Sequence, residues 1–269
     1  EEAQIGLALR ILCGFGIDEI ADAFLSNKET INKRLFRAKE KLRKGNISIE
    51  FPPQEELPTR LETVLRTLYL LFNEGYYSIS SNKSLRKDFC VEAMRLAYLL
   101  TQYAHTDQPQ TSALLSLMCF HASRFDARLD DSGVFILYED QDTSLWDINL
   151  KQKGEHYLNR SSTGEALSKY HLEAAIAFWH TEKEDSAEKW ENILQLYNYL
   201  LQTAYSPVAA LNRTYALAKA RNREKALAEA QKIKLDNHHF YHCLLAELYG
   251  KEKKEEAMAH LNTALQLAK

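Results

Sequence analysis

Hydrophobic and polar positions alternate with helical spacing near the start of the chain. One apolar stripe runs through residues 17–24, and another runs through residues 28–44, where apolar side chains recur every three or four positions. The polar stretch between them offers Ser26 or Asn27 as the N-cap of the second helix. A short helix, a tight polar turn and a longer helix predict a helix-turn-helix.

The middle of the chain predicts three further helices and one short β-segment. The proline-rich stretch GNISIEFPPQEELP interrupts the helical pattern, and helices follow over residues 57–73, 88–104 and 111–123. Gly75 is predicted to cap the first of these helices at its C-terminus. The turn sequence at residues 131–133 and the β-branched and aromatic run after it predict a small β-hairpin near residues 128–139.

From about Lys169 onward the pattern predicts paired helices. Three pairs can be outlined, and Ala226 and Ala257 occupy equivalent positions 31 residues apart, close to the 34-residue tetratricopeptide (TPR) period. Small alanines where helices cross and Pro207 at the start of a pair suit such a repeat. Stacked repeats present a concave surface that binds peptides or protein segments, although the same helices could serve only as scaffold.

The predicted fold class is therefore all-α, with one small β-hairpin. The predicted domains are a helix-turn-helix at 1–50, a helical extension with the hairpin at 51–168, and TPR-like helix pairs at 169–269.

Composition predicts a cytoplasmic protein without a membrane span. Hydrophobic residues make up 45% of the 269 positions, yet no run approaches the roughly 20 unbroken apolar residues that a span needs. The four cysteines lie far apart without a CxxC pair, which favours free thiols in a reducing compartment over two disulfides. The chain begins at Glu1 without an initiator Met, so we expect a preceding segment.

Charge is concentrated in the second helix of the helix-turn-helix. Residues 28–44 contain eight basic and two acidic side chains, a net charge of +6 in a chain whose total is −3. Lysine and arginine on such a helix displace counterions from DNA phosphates, and its N-terminal polar residues can reach base edges in the major groove. A solvated basic face is the alternative. The predicted DNA-contacting residues are Lys28, Thr30, Asn32, Lys33, Arg34, Arg37 and Lys41.

An enzymatic function has weak support in the sequence. Glu139, Asp140 and Asp142 follow the predicted hairpin and could act as metal ligands or as an acid–base pair. No metal-binding spacing, phosphate loop or nucleophile–base pairing accompanies them, and helix capping explains them more simply. We therefore predict no catalytic residue, no metal site and no cofactor.

The helix-turn-helix resembles region 4 of bacterial extracytoplasmic-function (ECF) sigma factors. GFGIDEIADAF and ETINKRLFRAKEKL fit the family pattern of a glycine turn, EIA, and a T-[VI]-x-x-R-L-x-R-A recognition helix, although Glu29 replaces a small residue. Three later stretches, LPTRLETVLRTLYLLFNEGY, DARLDDSGVFILYEDQDTSLWD and SPVAALNRTYALA, are similar to the C-terminal extension of one sigma-factor group that ends in TPR-like helices.

The resemblance implies a fragment of an RNA polymerase sigma factor. Region 4 of that family reads the −35 element of promoter double-stranded DNA and contacts the β-flap of core RNA polymerase, and region 2 would lie upstream. The TPR-like domain would then regulate region 4 or bind a peptide or protein partner. The alternative is a helix-turn-helix transcriptional regulator with a TPR-like peptide-sensing domain.

Overall fold

The computed structural model describes residues 1–45, 52–77, 86–164, 167–250 and 252–268. Within these ranges the chain is all-α, as predicted, with thirteen α-helices joined by turns and short 3-10 segments. It divides into two compact units, Glu1–Glu165 and Ala166–Lys269. The boundary predicted between residues 50 and 51 lies outside the described residues.

The first unit holds the helix-turn-helix together with the extension that follows it. Its described helices are α1 (Glu2–Ile11), α2 (Ile17–Ala23), α3 (Lys28–Gly45), α4 (Leu57–Tyr77), α5 (Lys87–Leu100), α6 (Pro109–Ala122) and α7 (Ile148–Ser161).

Helices α1, α2 and α3 pack on one another around a small apolar core. Ile5 and Leu9 of α1, Ile20 of α2, and Ile31 and Leu35 of α3 are all buried. These side chains belong to the apolar stripes predicted for the two helices, but Leu42, toward the C-terminal end of the longer stripe, is 43% exposed. The helical period therefore sets which side of α3 faces the core and which side remains exposed.

The turn between α2 and α3 contains a backbone conformation that the sequence does not predict. Leu25 has φ of 49°, in the left-handed region that glycine adopts more readily. Its side chain is 68% exposed, so the position is set by the chain reversal and not by burial. Asn27 then caps α3, because its Oδ1 accepts a hydrogen bond from the Thr30 N–H at 2.9 Å.

Gly75 does not cap α4, contrary to the prediction, because α4 continues to Tyr77. A Cβ at this position would lie 2.8 Å from the Arg86 carbonyl oxygen and 2.7 Å from Cys90 Sγ. Glycine is therefore required by the close approach of α5 to α4, a non-local contact. The Arg86 N–H also donates to the Gly75 carbonyl at 2.9 Å.

A second glycine allows α6 and α7 to approach closely. Ser116 on α6 donates a hydrogen bond to the Gly154 carbonyl of α7 at 2.7 Å, and a Cβ on Gly154 would lie 2.6 Å from the Phe120 ring. Both Ser116 and Phe120 are buried. The close contact of α6 and α7 thus depends on residue 154 being a glycine, which has no side chain.

The predicted β-hairpin is wrong, since the described residues contain one isolated antiparallel bridge, between Leu129 and Phe135, and no strand. The turn itself forms, with the Asp130 N–H bonded to the Val134 carbonyl at 3.0 Å. Val134 and Phe135 are at least half exposed, so the segment has no second layer on which to pack. A two-stranded ribbon without such a layer is marginal in water.

All four cysteines are free thiols, as predicted. Cys90 and Cys119 are buried, and burial raises the pKa of each thiol to about 12. Cys13 is partly buried and Cys243 is exposed.

The second unit consists of three described helix pairs, as the pattern predicts. Within each pair the two helices pack against each other, and neighbouring pairs also touch. Ala226 and Ala257, the equivalent positions of two pairs, are both buried where helices meet. The helices are α8 (Lys169–Trp179), α9 (Ala187–Thr203), α10 (Pro207–Ala220), α11 (Arg223–Ile233), α12 (His239–Tyr249) and α13 (Lys254–Leu267).

Candidate nucleic-acid interface

The basic helix α3 exposes most of its surface. Between its N-terminal cap and Gly45 only Ile31 and Leu35 are buried. A helix held by so narrow an apolar stripe leaves more than half of its circumference free for a ligand. Its exposed side chains are predominantly basic, so the surface attracts polyanions.

Five of the seven predicted DNA-contacting residues lie together. They line a groove of about 460 Å³ beside α1, whose remaining lining is Ala3 and Ala38. We call this groove the basic groove. The five residues are Thr30, Lys33, Arg34, Arg37 and Lys41.

The four basic side chains of the groove differ in whether they form ion pairs within the chain. Lys33 pairs with Glu29 one turn earlier at 2.6 Å, and Arg34 pairs with Glu2 on α1 at 2.8 Å. Arg37 and Lys41 are exposed and have no ion-pair partner among the residues that the structure describes. A phosphate therefore meets no internal competitor at these two side chains.

The other two predicted residues lie outside the groove. Lys28 pairs with Asp18 of α2 at 2.7 Å, and this hydrogen bond raises the pKa of the Lys28 ammonium group. Asn32 is exposed but does not line the groove. Each residue of an α-helix is rotated by roughly 100° from the one before it, which places Asn32 on the flank of α3 opposite to the groove. Any contact that Asn32 makes with DNA would come from that flank.

Sequence reasoning missed Phe36. Its side chain is 68% exposed on the outer face of α3, although aromatic residues are normally buried. The signal was available, because Phe36 falls outside the three-and-four spacing that joins Ile31, Leu35 and Ala38. An apolar residue off the stripe of a basic helix is a candidate for contact with a thymine methyl group.

The extension holds the helix-turn-helix from the side of α1 and α2. Helix α4 packs on both of these helices. Arg66 of α4 pairs with Glu1 at 2.8 Å, and Arg86, just before α5, pairs with Glu19 of α2 at 2.9 Å. These contacts leave Arg37 and Lys41 of α3 exposed.

Two acidic residues after the bridge, Asp142 and Asp147, cap the segments that follow them. Asp142 accepts hydrogen bonds from the Ser144 hydroxyl and from the Ser144 N–H, the latter at 2.8 Å, and these hold the pKa of its carboxyl below the usual range. Asp147 caps α7 by accepting from the Leu150 N–H at 3.0 Å. Within the described ranges, no group of three or more His, Cys, Asp or Glu side chains is arranged to hold a metal ion.

None of the described helices combines the length and the apolar character that crossing a bilayer requires.

Comparison with known proteins finds similarity in the middle of the chain and to one longer relative. Residues 60–162 match the model of a family described as Family of unknown function (DUF6596). The chain is also similar to Uncharacterized protein R00370 of Rhizobium meliloti (strain 1021), with 34% identity over 244 residues. That alignment covers 90% of this chain, which spans 57% of the length of the relative. No solved structure gives a significant match. The middle of this chain, residues 60–162, is therefore similar to the DUF6596 family.

Proposed function

We propose that this chain is part of an ECF-type RNA polymerase sigma factor, in which α1–α3 serve as region 4 and bind the −35 element of promoter DNA. The observation that carries the proposal is the basic groove on the exposed side of a helix-turn-helix, in which Arg37 and Lys41 have no ion-pair partner among the described residues. Domains of the DUF6596 family occur in sigma-factor-like proteins in general, which supports the same conclusion.

The division of labour along α3 follows from where its side chains lie. Lys33 and Phe36 lie on the side away from the buried stripe and would meet base edges in the major groove. Arg34, Arg37 and Lys41 would contact the phosphate backbone of one strand, and Asn32 lies on the flank toward the other strand. Lys28 stays paired with Asp18, so it adds little net charge near the helix N-terminus.

In this proposal the DUF6596 domain presents region 4 of its own chain to DNA and does not mask it within that chain. Its ion pairs run through Glu1 and Glu19 on the side of α1 and α2, away from Arg37 and Lys41 of α3. The whole protein would contact the β-flap of core RNA polymerase, and the TPR-like pairs α8–α13 would bind a peptide or protein partner that regulates it.

DNA binding is tested by fluorescence anisotropy with duplex DNA taken from the protein's own upstream promoter. Replacing both Arg37 and Lys41 by Ala should weaken binding roughly tenfold or more, and should reduce the slope of log K against log salt by about 2. The control Lys225→Ala/Lys254→Ala removes the same charge from exposed positions on the second unit and should leave both quantities unchanged. Equal effects of the two double variants would refute a site on α3.

The sigma-factor assignment needs a second experiment, since other regulators also bind DNA. The intact gene product should co-purify with core RNA polymerase and yield run-off transcripts from its own promoter. A protein that binds DNA through α3 but ignores the polymerase would instead be a helix-turn-helix regulator, with α8–α13 as a peptide-sensing domain.

A further inference from the structure

The segment after α6 carries a second charged surface, opposite in sign to the basic groove. Residues 129–142, here called the acidic loop, contain five carboxylates and no basic residue. Their exposed apolar side chains include Phe135 and Leu137, the latter 73% exposed. An apolar tip with an acidic rim marks a surface for a basic and partly apolar partner.

The acidic loop is held in a defined shape. The Asp130 carboxylate accepts hydrogen bonds from the Ser132 and Val134 N–H groups at 2.9 Å each. Phe135 lies over the Arg128 guanidinium at 5.4 Å, and Arg128 in turn covers the buried ring of Tyr76 at 3.7 Å. Because the loop is fixed before binding, little conformational entropy is lost when a partner docks on it.

Two carboxylates of the acidic loop are available to a partner. Asp131 and Asp140 are exposed, and neither belongs to an ion pair in the part of the chain that the structure describes. They flank the stretch that contains Leu137, whose exposure shows that its own chain does not cover it.

The basic groove matches this loop in charge and in apolar character. Its apolar lining is Ala3 and Ala38, and its Arg37 and Lys41 have no ion-pair partner within the described ranges. Its volume of about 460 Å³ accommodates apolar side chains from a loop tip. In a pair of copies of this chain, the acidic loop of each copy therefore has a complementary surface, the basic groove, on the other copy.

We propose that the acidic loop of one copy docks into the basic groove of a second copy, with Leu137 against Ala3 and Ala38 and the Asp131 and Asp140 carboxylates on Arg37 and Lys41. The reciprocal contact closes a two-fold dimer. Self-association does not depend on the proposed function. Under that function, however, the dimer contact uses the same basic side chains that DNA would bind, Arg37 and Lys41. Promoter DNA and the second copy would therefore compete for the basic groove.

The test is sedimentation velocity of the full chain over a range of protein concentrations. At about 0.1 M salt the chain should form dimers, and at about 1 M salt, where the Debye length falls from about 10 Å to about 3 Å, it should be monomeric. A chain that is monomeric at every concentration and at both salt levels would overturn the proposal.

A charge exchange identifies the contact. Arg37→Asp and Asp140→Arg should each weaken self-association at least about tenfold, because like charges then face each other in both contacts of the dimer. An equimolar mixture of the two variants should restore it, since each contact in the mixed dimer joins opposite charges. The control Glu252→Arg, at an exposed position of the second unit, should behave as the unmodified chain does.

The outcomes separate this inference from DNA binding. Dimers that survive both single substitutions, or a mixture that stays monomeric, would show that another surface mediates association and would overturn the proposal. Asp140→Arg leaves every groove residue intact, so it should still bind promoter DNA. Loss of self-association with retained DNA affinity is the expected behaviour of that variant.

Discussion

The carboxylate of Glu19 on α2 accepts a hydrogen bond from the Arg86 guanidinium at 2.9 Å, across 67 residues of sequence. Arg86 also lies 3.6 Å above the ring of Phe89, which stacks on the fully buried Phe15 at 5.6 Å between centroids. Four side chains thus join the helix-turn-helix to the start of α5 through one ion pair and two ring contacts.

We expect this ion pair to couple the two segments energetically. A double-mutant cycle with Glu19→Gln and Arg86→Ala, measured by urea unfolding, should give a coupling free energy of about 0.5–1 kcal/mol, because both side chains are partly buried. Glu92 and Arg95, an exposed pair within α5, serve as the control and should couple more weakly. A coupling at Glu19–Arg86 no larger than in the control would mean that packing alone joins the segments.

Phe36 should contribute to recognition and not to stability. Phe36→Ala should leave the urea midpoint nearly unchanged, since the side chain is 68% exposed. If its ring contacts a thymine methyl group, uracil in place of thymine in the −35 element should weaken binding of the unmodified chain by about 1 kcal/mol and should not affect Phe36→Ala. Equal sensitivity of both proteins to uracil would contradict the contact.

Alanine substitutions at two glycines should affect the free energy of unfolding differently. Gly154→Ala should lower the free energy of unfolding by about 1–3 kcal/mol, because the new methyl group meets the buried Phe120 ring at 2.6 Å. Gly6→Ala, in α1, meets its nearest neighbour Leu35 at an ordinary 3.4 Å and gains helix propensity, so it should be neutral or stabilising by up to about 1 kcal/mol. Urea midpoints measure both, and a destabilising Gly6→Ala would show that α1 tolerates no added volume.

The α12–α13 pair should lose stability in mild acid. His242 Nε2 lies 2.8 Å from the Asp236 carbonyl and must donate to it, so His242 Nδ1 accepts from His260 Nδ1–H at 3.0 Å. Burial, and then the neighbouring His242, lower the pKa of His260 below its ordinary 6.5. The stability it contributes is therefore complete above about pH 6.5 and is lost as the pH falls through the folded pKa.

Unfolding measured at about pH 7.5 and about pH 5.5 should show this loss in the unmodified chain, and a smaller loss in His260→Phe, which cannot accept the proton. Tryptophan fluorescence suits the measurement, because Trp179 and Trp190 lie in the second unit. An identical pH dependence in both proteins would remove the histidine pair as its cause.

Local signals predicted the helices well. Most predicted bounds lie within a few residues of the observed helices, because caps such as Asn27 and turn residues such as Pro207 act on their own neighbours in sequence. Ala226 and Ala257 could likewise be placed at helix crossings by period alone.

Non-local contacts account for the errors. Gly75 was predicted as a cap because nothing in the local sequence reveals the approach of Arg86 and Cys90. The hairpin near residues 128–139 failed because strand pairing needs a packing layer that no local pattern guarantees.

The candidate site shows the same division. Periodicity predicts which residues of α3 face outward, but it does not reveal that Glu2 on α1 holds Arg34 or that Asp18 on α2 holds Lys28. Only the structure distinguishes these ion-paired basic residues from Arg37 and Lys41, which form no ion pair with the described residues.

The Gly75–Arg86 approach and the Glu19–Arg86 pair bear on how the protein could be re-engineered. The proline-rich stretch invites a chimera joined there, in which a foreign recognition module replaces residues 1–45. Such a module would bring its own surface against α4 and α5 and would need partners for Arg66 and Arg86. Grafting other outward side chains onto α3 of the native scaffold avoids this mismatch. Under the proposed function, promoter preference would therefore be exchanged more readily residue by residue than module by module.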